Sequence, residues 1–116
     1  MHHHDSIRKF GRPTDQRRAL LRSLAVSFIE KGKIQTTEAK AKSLRPMIEK
    51  MITKAKVGNL AARRLLVSKV GDKCADILIV KIAPEFAKRN GGYTRITKLA
   101  VRKSDAASMA QIDLVK

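Results

Sequence analysis

Leu20, Leu21, Leu24, Phe28 and Ile29 recur at helical spacing between Pro13 and Gly32 and predict an amphipathic helix with one apolar stripe. Arg18 and Arg22 stand four apart, so they share a side of that helix. Thr14 or Asp15 is placed to cap it, Pro13 stops it from extending backwards, and Gly32 closes it. Residues 33–37 read as a short strand with Ile34 pointing inward. Thr36 or Thr37 then caps a second helix, and Glu38 suits its positive end. Ala41, Leu44, Ile48, Met51, Ile52 and Ala55 form the buried stripe of that helix. Arg45-Pro46 interrupts it, because proline removes a backbone donor and clashes with the preceding turn. Two outcomes are open there, a kink or two abutting helices, and the spacing that continues past Pro46 favours the kink.

Gly58-Asn59 ends this helix and caps the next, whose apolar positions are Leu65, Leu66 and Val70 beside Arg63-Arg64. Gly71-Asp72 is another stop-and-start signal. Residues 73–82 are apolar enough to be largely buried, and Pro84 starts a short turn through Phe86. Residues 88–92 form a loop with adjacent Gly91 and Gly92. The period then changes to two: 93–101 and 109–115 read as strands around a polar turn at 102–108, with Ala110, Ile112 and Leu114 inward. The predicted order is α-β-α-α-α-β-β. It suggests an α+β, two-layer sandwich whose small sheet ends in a C-terminal antiparallel hairpin. Residues 1–12 show no apolar periodicity, so 1–13 is expected to be an extended basic arm and 14–116 a single domain.

Composition narrows the core and the partners. The chain has 116 residues, of which 43% are apolar, but only Phe10, Phe28, Phe86 and Tyr93 are aromatic, so the core must be aliphatic. The longest apolar run, 77–80, is far too short to span a membrane. The polar, basic opening lacks the apolar core of a signal peptide, and the cytosol is the expected compartment. The lone Cys74 sits among apolar neighbours and reads as a buried structural thiol. The formal net charge is +16 and the sequence pI is 10.7. Such a charge repels itself in the compact state, and a polyanion would relieve it and release counterions.

No catalytic constellation is present. A Ser-His-Asp or Cys-His site needs a histidine within the fold, and His2, His3 and His4 all lie at the N-terminus. Three adjacent histidines are weak grounds for a metal site or for a tag remnant, and they read as a polar tail that grazes phosphate. Glu30, Glu38 and Glu49 are too far apart along the chain to suggest a metal site, and Gly91-Gly92 lacks the spacing of a phosphate-binding loop. The reading is of a protein that is not an enzyme, with no cofactor, no metal, no small-molecule substrate and no membrane partner.

What remains is a distributed basic surface. Arg8, Lys9 and Arg12 lie in the arm; Arg17, Arg18, Arg22, Lys31 and Lys33 in and after the first helix; Lys40, Lys42 and Arg45 in the second. Arg63 and Arg64 follow, then Lys88, Arg89 and Asn90 in the glycine loop, Arg95 in a strand, and Arg102 and Lys103 in the last turn. Arginine offers planar, bidentate donors to phosphate, while lysine acts as a point charge. Thr36 and Thr37 carry hydroxyls that donate to phosphate when they are not capping. Single-strand readers stack bases on exposed aromatics, and here Phe10 and Tyr93 are the candidates. This shortage points to recognition of backbone and shape. A DNA-binding regulator is less consistent, since a strand separates the first two helices. An RNA-processing enzyme would need chemistry that is missing.

Four segments resemble a known family, the seventeenth protein of the bacterial large ribosomal subunit. They are Arg8-Lys9-Phe10-Gly11-Arg12; Arg17-Arg18-Ala19-Leu20-Leu21-Arg22-Ser23-Leu24-Ala25; Thr36-Thr37-Glu38-Ala39-Lys40-Ala41-Lys42 with Leu44-Arg45-Pro46; and Arg89-Asn90-Gly91-Gly92-Tyr93-Thr94-Arg95-Ile96. The ending Met109-Ala110-Gln111-Ile112-Asp113-Leu114-Val115 is similar to the family's last strand. The resemblance implies a structural role without catalysis or cofactor. It also implies binding to large-subunit ribosomal RNA near the rim of the polypeptide exit tunnel, and contacts with neighbouring ribosomal proteins. Family members usually open Met-Arg-His, whereas His2 and Asp5 here imply either a weaker hold on RNA at the extreme N-terminus or one made only when its histidines are protonated.

Overall fold

A computed structural model of the protein describes residues 13–115. The arm residues Arg8, Lys9, Phe10 and Arg12 therefore lie outside the described residues. The chain is mixed α+β. Helix α1 spans Thr14–Lys31, strand β1 Lys33–Thr37, helix α2 Glu38–Val57 and helix α3 Leu60–Asp76. A π-helical segment, Ile77–Ile82, leads into the short α4, Ala83–Glu85, and strands β2, Thr94–Lys98, and β3, Met109–Leu114, complete the order.

Helix α2 is the hub. Its six predicted stripe residues, Ala41, Leu44, Ile48, Met51, Ile52 and Ala55, are all buried. They pack against α1, α3, the π segment and all three strands. Each buried Leu, Ile or Met contributes about 1.5–3 kcal/mol relative to exposure, which is why one clean stripe organises the domain. The helix runs as one element through Pro46, whose ring is exposed, so abutting helices are excluded. Thr37 caps it by accepting from the Lys40 N–H at 3.3 Å.

The first helix corrects the expected stripe. Its buried residues are Ala25, Phe28 and Ile29, with Leu24 and Val26 packed beside them; Leu20 and Leu21 are only half-buried and stay outside the core. Pro13, not Thr14 or Asp15, takes the N-cap position, and no side chain caps this end. Gly32 closes the helix at φ 81°, a left-handed conformation, and donates its N–H to Phe28 O.

Between Leu60 and Glu85 the chain is a single helical run broken at Gly71, where φ 87° and ψ 171° leave the helical region. Asn59 caps its start, accepting from the Ala62 N–H at 2.8 Å. Leu66 and Val70 are buried as expected, but Leu65 is 40% exposed and Ala62 takes its place. In the π segment Ala83 donates its N–H to Leu78 O, five residues back; Pro84 has no N–H to continue that ladder, and the chain passes into the short α4.

The sheet is open, antiparallel and ordered β1-β3-β2. Ile34, Ile112 and Ile96 form one row across it, with Ile112 fully buried at the centre. Helices α1 and α2 cover this face, and α3 packs on those two helices. Cys74 is buried near Val26 O, and burial pushes its thiol pKa up.

Candidate nucleic-acid interface

Most of the candidate cations fall in four places. The first is the leading part of α1, where no residue from Thr14 to Leu24 is buried. Arg18 and Arg22 are exposed there and, among the described residues, neither makes an ion pair or side-chain hydrogen bond. Arg17 is half-buried and donates to Thr14 Oγ1 at 3.2 Å. Helix α2 adds exposed Arg45 and half-buried Lys40, while Lys42 is committed to Glu38 at 2.9 Å.

The second place is the end of the sheet beside Gly32. Lys33 of β1 and Arg95 of β2 stand opposite Asp113 of β3, one on each side, making a row of alternating charge. Both cations are exposed, and Asp113 Oδ1 is buried without a hydrogen-bond partner among the described residues.

The third is the loop that carries Lys88, Arg89 and Asn90, all exposed. Gly91 and Gly92 turn it with φ 93° and 65°. Arg89 donates to Gly92 O at 3.1 Å, which tightens the turn. Lys56 of α2 reaches across to Arg89 O and donates to the Tyr93 hydroxyl at 3.2 Å. The fourth is the β2–β3 connection. Arg102 grips Asp105 through two hydrogen bonds of 2.9 and 2.8 Å, and this bidentate contact holds the Asp105 carboxyl below its usual range. Lys103 beside it is exposed. The connection lies at the far end of the sheet, where Glu38 donates its N–H to Ser108 O.

Four of the candidates, Tyr93, Thr36, Thr37 and Arg63, are buried or already engaged within the protein. Tyr93 is 2% exposed and packs on Phe86 with ring centroids 5.1 Å apart, so it presents no face to a base. Hydrogen bonds from Thr53 and Lys56 lower its pKa. A two-residue period over 93–101 puts Tyr93 and Thr94 on opposite faces, yet both are buried. Thr36 is buried on the inner side of β1, and Thr37 spends its hydroxyl on the cap. Arg63 is exposed in part but pairs with Asp76, which raises its pKa and spends its charge inside the protein. Arg64 is exposed and, among the described residues, without a partner.

The positioning residues were not foreseen. Glu49 accepts from the Tyr93 N–H at 3.2 Å, the Thr94 N–H at 2.9 Å and the Thr94 hydroxyl at 2.8 Å. It thereby ties α2 to the start of β2 and sets the strand that carries Arg95. Glu49, Thr53 and Lys56 recur at helical spacing and all serve the same loop. An acid in the interior of a lysine-rich helix, away from its first turn, was the available signal. Among the described residues no cluster of His, Cys, Asp and Glu suits a metal ion, and no helix is long and apolar enough to cross a membrane.

Comparison with known proteins places this architecture. The family model described as "Ribosomal protein L17" matches residues 20–115. The large ribosomal subunit protein bL17 of Gemmatimonas aurantiaca is 53% identical over 116 residues, covering 99% of this chain and 98% of that protein. The protein of the same name from Clostridium botulinum strain Loch Maree is 52% identical over 109 residues, covering 93% of this chain and 96% of its own length. Its counterpart from Campylobacter fetus is 48% identical over 116 residues, covering 99% and 98% respectively. With a family match across most of the domain and relatives aligned nearly end to end, this chain belongs to the ribosomal protein L17 family.

Proposed function

We propose that this protein binds large-subunit ribosomal RNA through separate cationic sites, and holds those RNA segments in fixed relation near the rim of the polypeptide exit tunnel. Its family is one of structural proteins of the large ribosomal subunit and not of enzymes, and it works in the cytoplasmic ribosome. In this reading residues 14–116 form the RNA-binding domain and 1–13 a basic arm that orders on RNA, with Arg8, Lys9 and Arg12 meeting phosphate. Neighbouring ribosomal proteins are the other partners.

One observation carries the reading. Arg18 and Arg22 project from the uncovered part of α1 without acid partners among the described residues, in a chain of 26 cations and ten acids. Cations left unpaired in a molecule of formal charge +16 are a cost unless a polyanion meets them. Lys88 and Lys103 repeat that condition at other places, and Lys33 and Arg95 have the single Asp113 between them, so several RNA segments suit the fold better than one continuous duplex. The aliphatic core supplies the rigidity, and phosphate contacts position without reading sequence.

Filter binding of the isolated chain to ribosomal RNA duplexes across a salt series tests this. Six or more phosphate contacts give a log-log slope of about −5 or steeper, at roughly −0.9 per contact. A flat response, or tighter binding to duplex DNA than to ribosomal RNA, would overturn it.

A further inference from the structure

A groove of about 520 Å³ opens between α2 and α3. Its floor is apolar: Met51 and Leu66 are buried, and Met47 is half-buried beside them. Val57 and Leu65 line it while remaining 61% and 40% exposed. Lys50, Lys54 and Lys69 ring it; all three are exposed, and among the described residues none has an ion pair or hydrogen bond through its side chain. Glu49 also lines the groove, but its carboxylate is committed to Tyr93 and Thr94.

We propose that this groove seats an amphipathic helix of another protein, with aliphatic side chains on its inner face and Asp or Glu along both flanks. The apolar floor offers no donor to phosphate or ribose, the Thr53 hydroxyl in the lining is spent on Glu49 O at 3.1 Å, and no aromatic ring lines the groove for a base to stack on, which sets it apart from the cationic places above. A second copy of this chain is disfavoured by charge, since two molecules of formal charge +16 would bring lysine rim to lysine rim. An amphipathic helix lays its apolar face into a hydrophobic groove of this kind, and Met47 and Met51 adapt their shape to what fills it. The spacing agrees: Met47 and Met51 stand four apart, as do Lys50 and Lys54, giving an apolar row beside a cationic row along one helix. The inference rests on the chain working among other proteins of the large subunit, and not on its RNA contacts.

The test places the photocrosslinker p-benzoylphenylalanine at position 65, and separately at 57, in the full chain within purified large subunits. Irradiation and mass spectrometry then identify what is joined. The expected product is a peptide of a different protein, rich in aliphatic residues and flanked by Asp or Glu. Reversing the rim with K50E/K54E/K69E lowers the yield per incorporated chain about tenfold, as expected for the loss and inversion of three exposed charge pairs. An adduct to a nucleotide, an adduct to a second copy, a basic peptide, no adduct at either position, or an unchanged yield in the charge-reversed chain would each overturn the proposal. If the reversed chain fails to enter subunits, the sequence of the adduct from the two crosslinker positions decides alone. A nucleotide adduct would reject the groove while leaving RNA binding by the protein intact.

Discussion

Glu49 is the residue on which the strand edge depends. Its two oxygens satisfy two backbone N–H groups and one hydroxyl at the entrance to β2. Removing the acceptor leaves buried donors without partners, which costs more than the bonds themselves contribute. Glu49→Ala is expected to lower stability by about 2 kcal/mol, read as a shift of the urea midpoint at unchanged slope. Glu49→Gln retains one accepting oxygen and should fall between the parent and the alanine variant; equal midpoints for all three would show that the contact carries no stability. Tyr93 illustrates the same scale from the other side. A tyrosine after two glycines in a basic loop read as an exposed stacker, and it is buried because Phe86 and Lys56 enclose it. Nothing in the local pattern announces that enclosure, since the three residues are separated along the chain.

At the scale of elements, glycine decides where the long helical run bends. Gly71 adopts φ 87° with ψ 171°, a region essentially closed to other residues, and a Cβ there would meet nothing within 4 Å. The penalty for substitution is therefore backbone strain and not collision. Gly71→Ala should cost about 1–3 kcal/mol in chemical denaturation, while the neighbouring exposed Asp72→Ala should be near neutral. If Gly71→Ala proves neutral, the break between the two halves of α3 is not held by this residue. Helix α1 divides without any breaker. Its second half is gripped by Phe28 and Ile29, and its first half carries Leu20 and Leu21 only half-covered. Periodicity alone treats those halves alike, because it counts apolar positions and not the neighbours available to cover them.

Across the whole molecule, charge is partitioned between internal pairs and unpaired cations. Lys42, Arg63, Lys73, Lys98 and Arg102 answer acids of the same chain, whereas Arg18, Arg22, Lys33, Arg45, Arg64, Lys88, Arg95 and Lys103 answer none among the described residues. The two groups should behave differently toward RNA. Arg18→Ala with Arg22→Ala is expected to make the log-log salt slope shallower by about 1.8, twice the ~0.9 of one phosphate contact. Arg102→Ala should leave the slope close to the parent value, because its guanidinium is already held by Asp105. Equal losses from both substitutions would mean that internal pairing does not govern which cations reach phosphate.

The amino-acid order by itself determined the elements that are strictly local. The stripe of α2, the glycine stops at 32, 58 and 71, the Asn59 cap and the two-residue period of β3 depend on neighbours a few positions apart, and they stand in the fold where the pattern put them. The same order, through its charge and four short motifs, pointed to the family. Tertiary structure alone decided the rest: the central place of β3, the burial of Tyr93 and Thr36, the grip of Glu49 on β2, and the division of cations into paired and unpaired. Each of these is a contact between residues far apart in the chain, such as Glu49 with Thr94 or Arg63 with Asp76. Local periodicity carries no information about which distant segment will lie alongside; only the packing of the aliphatic core fixes that.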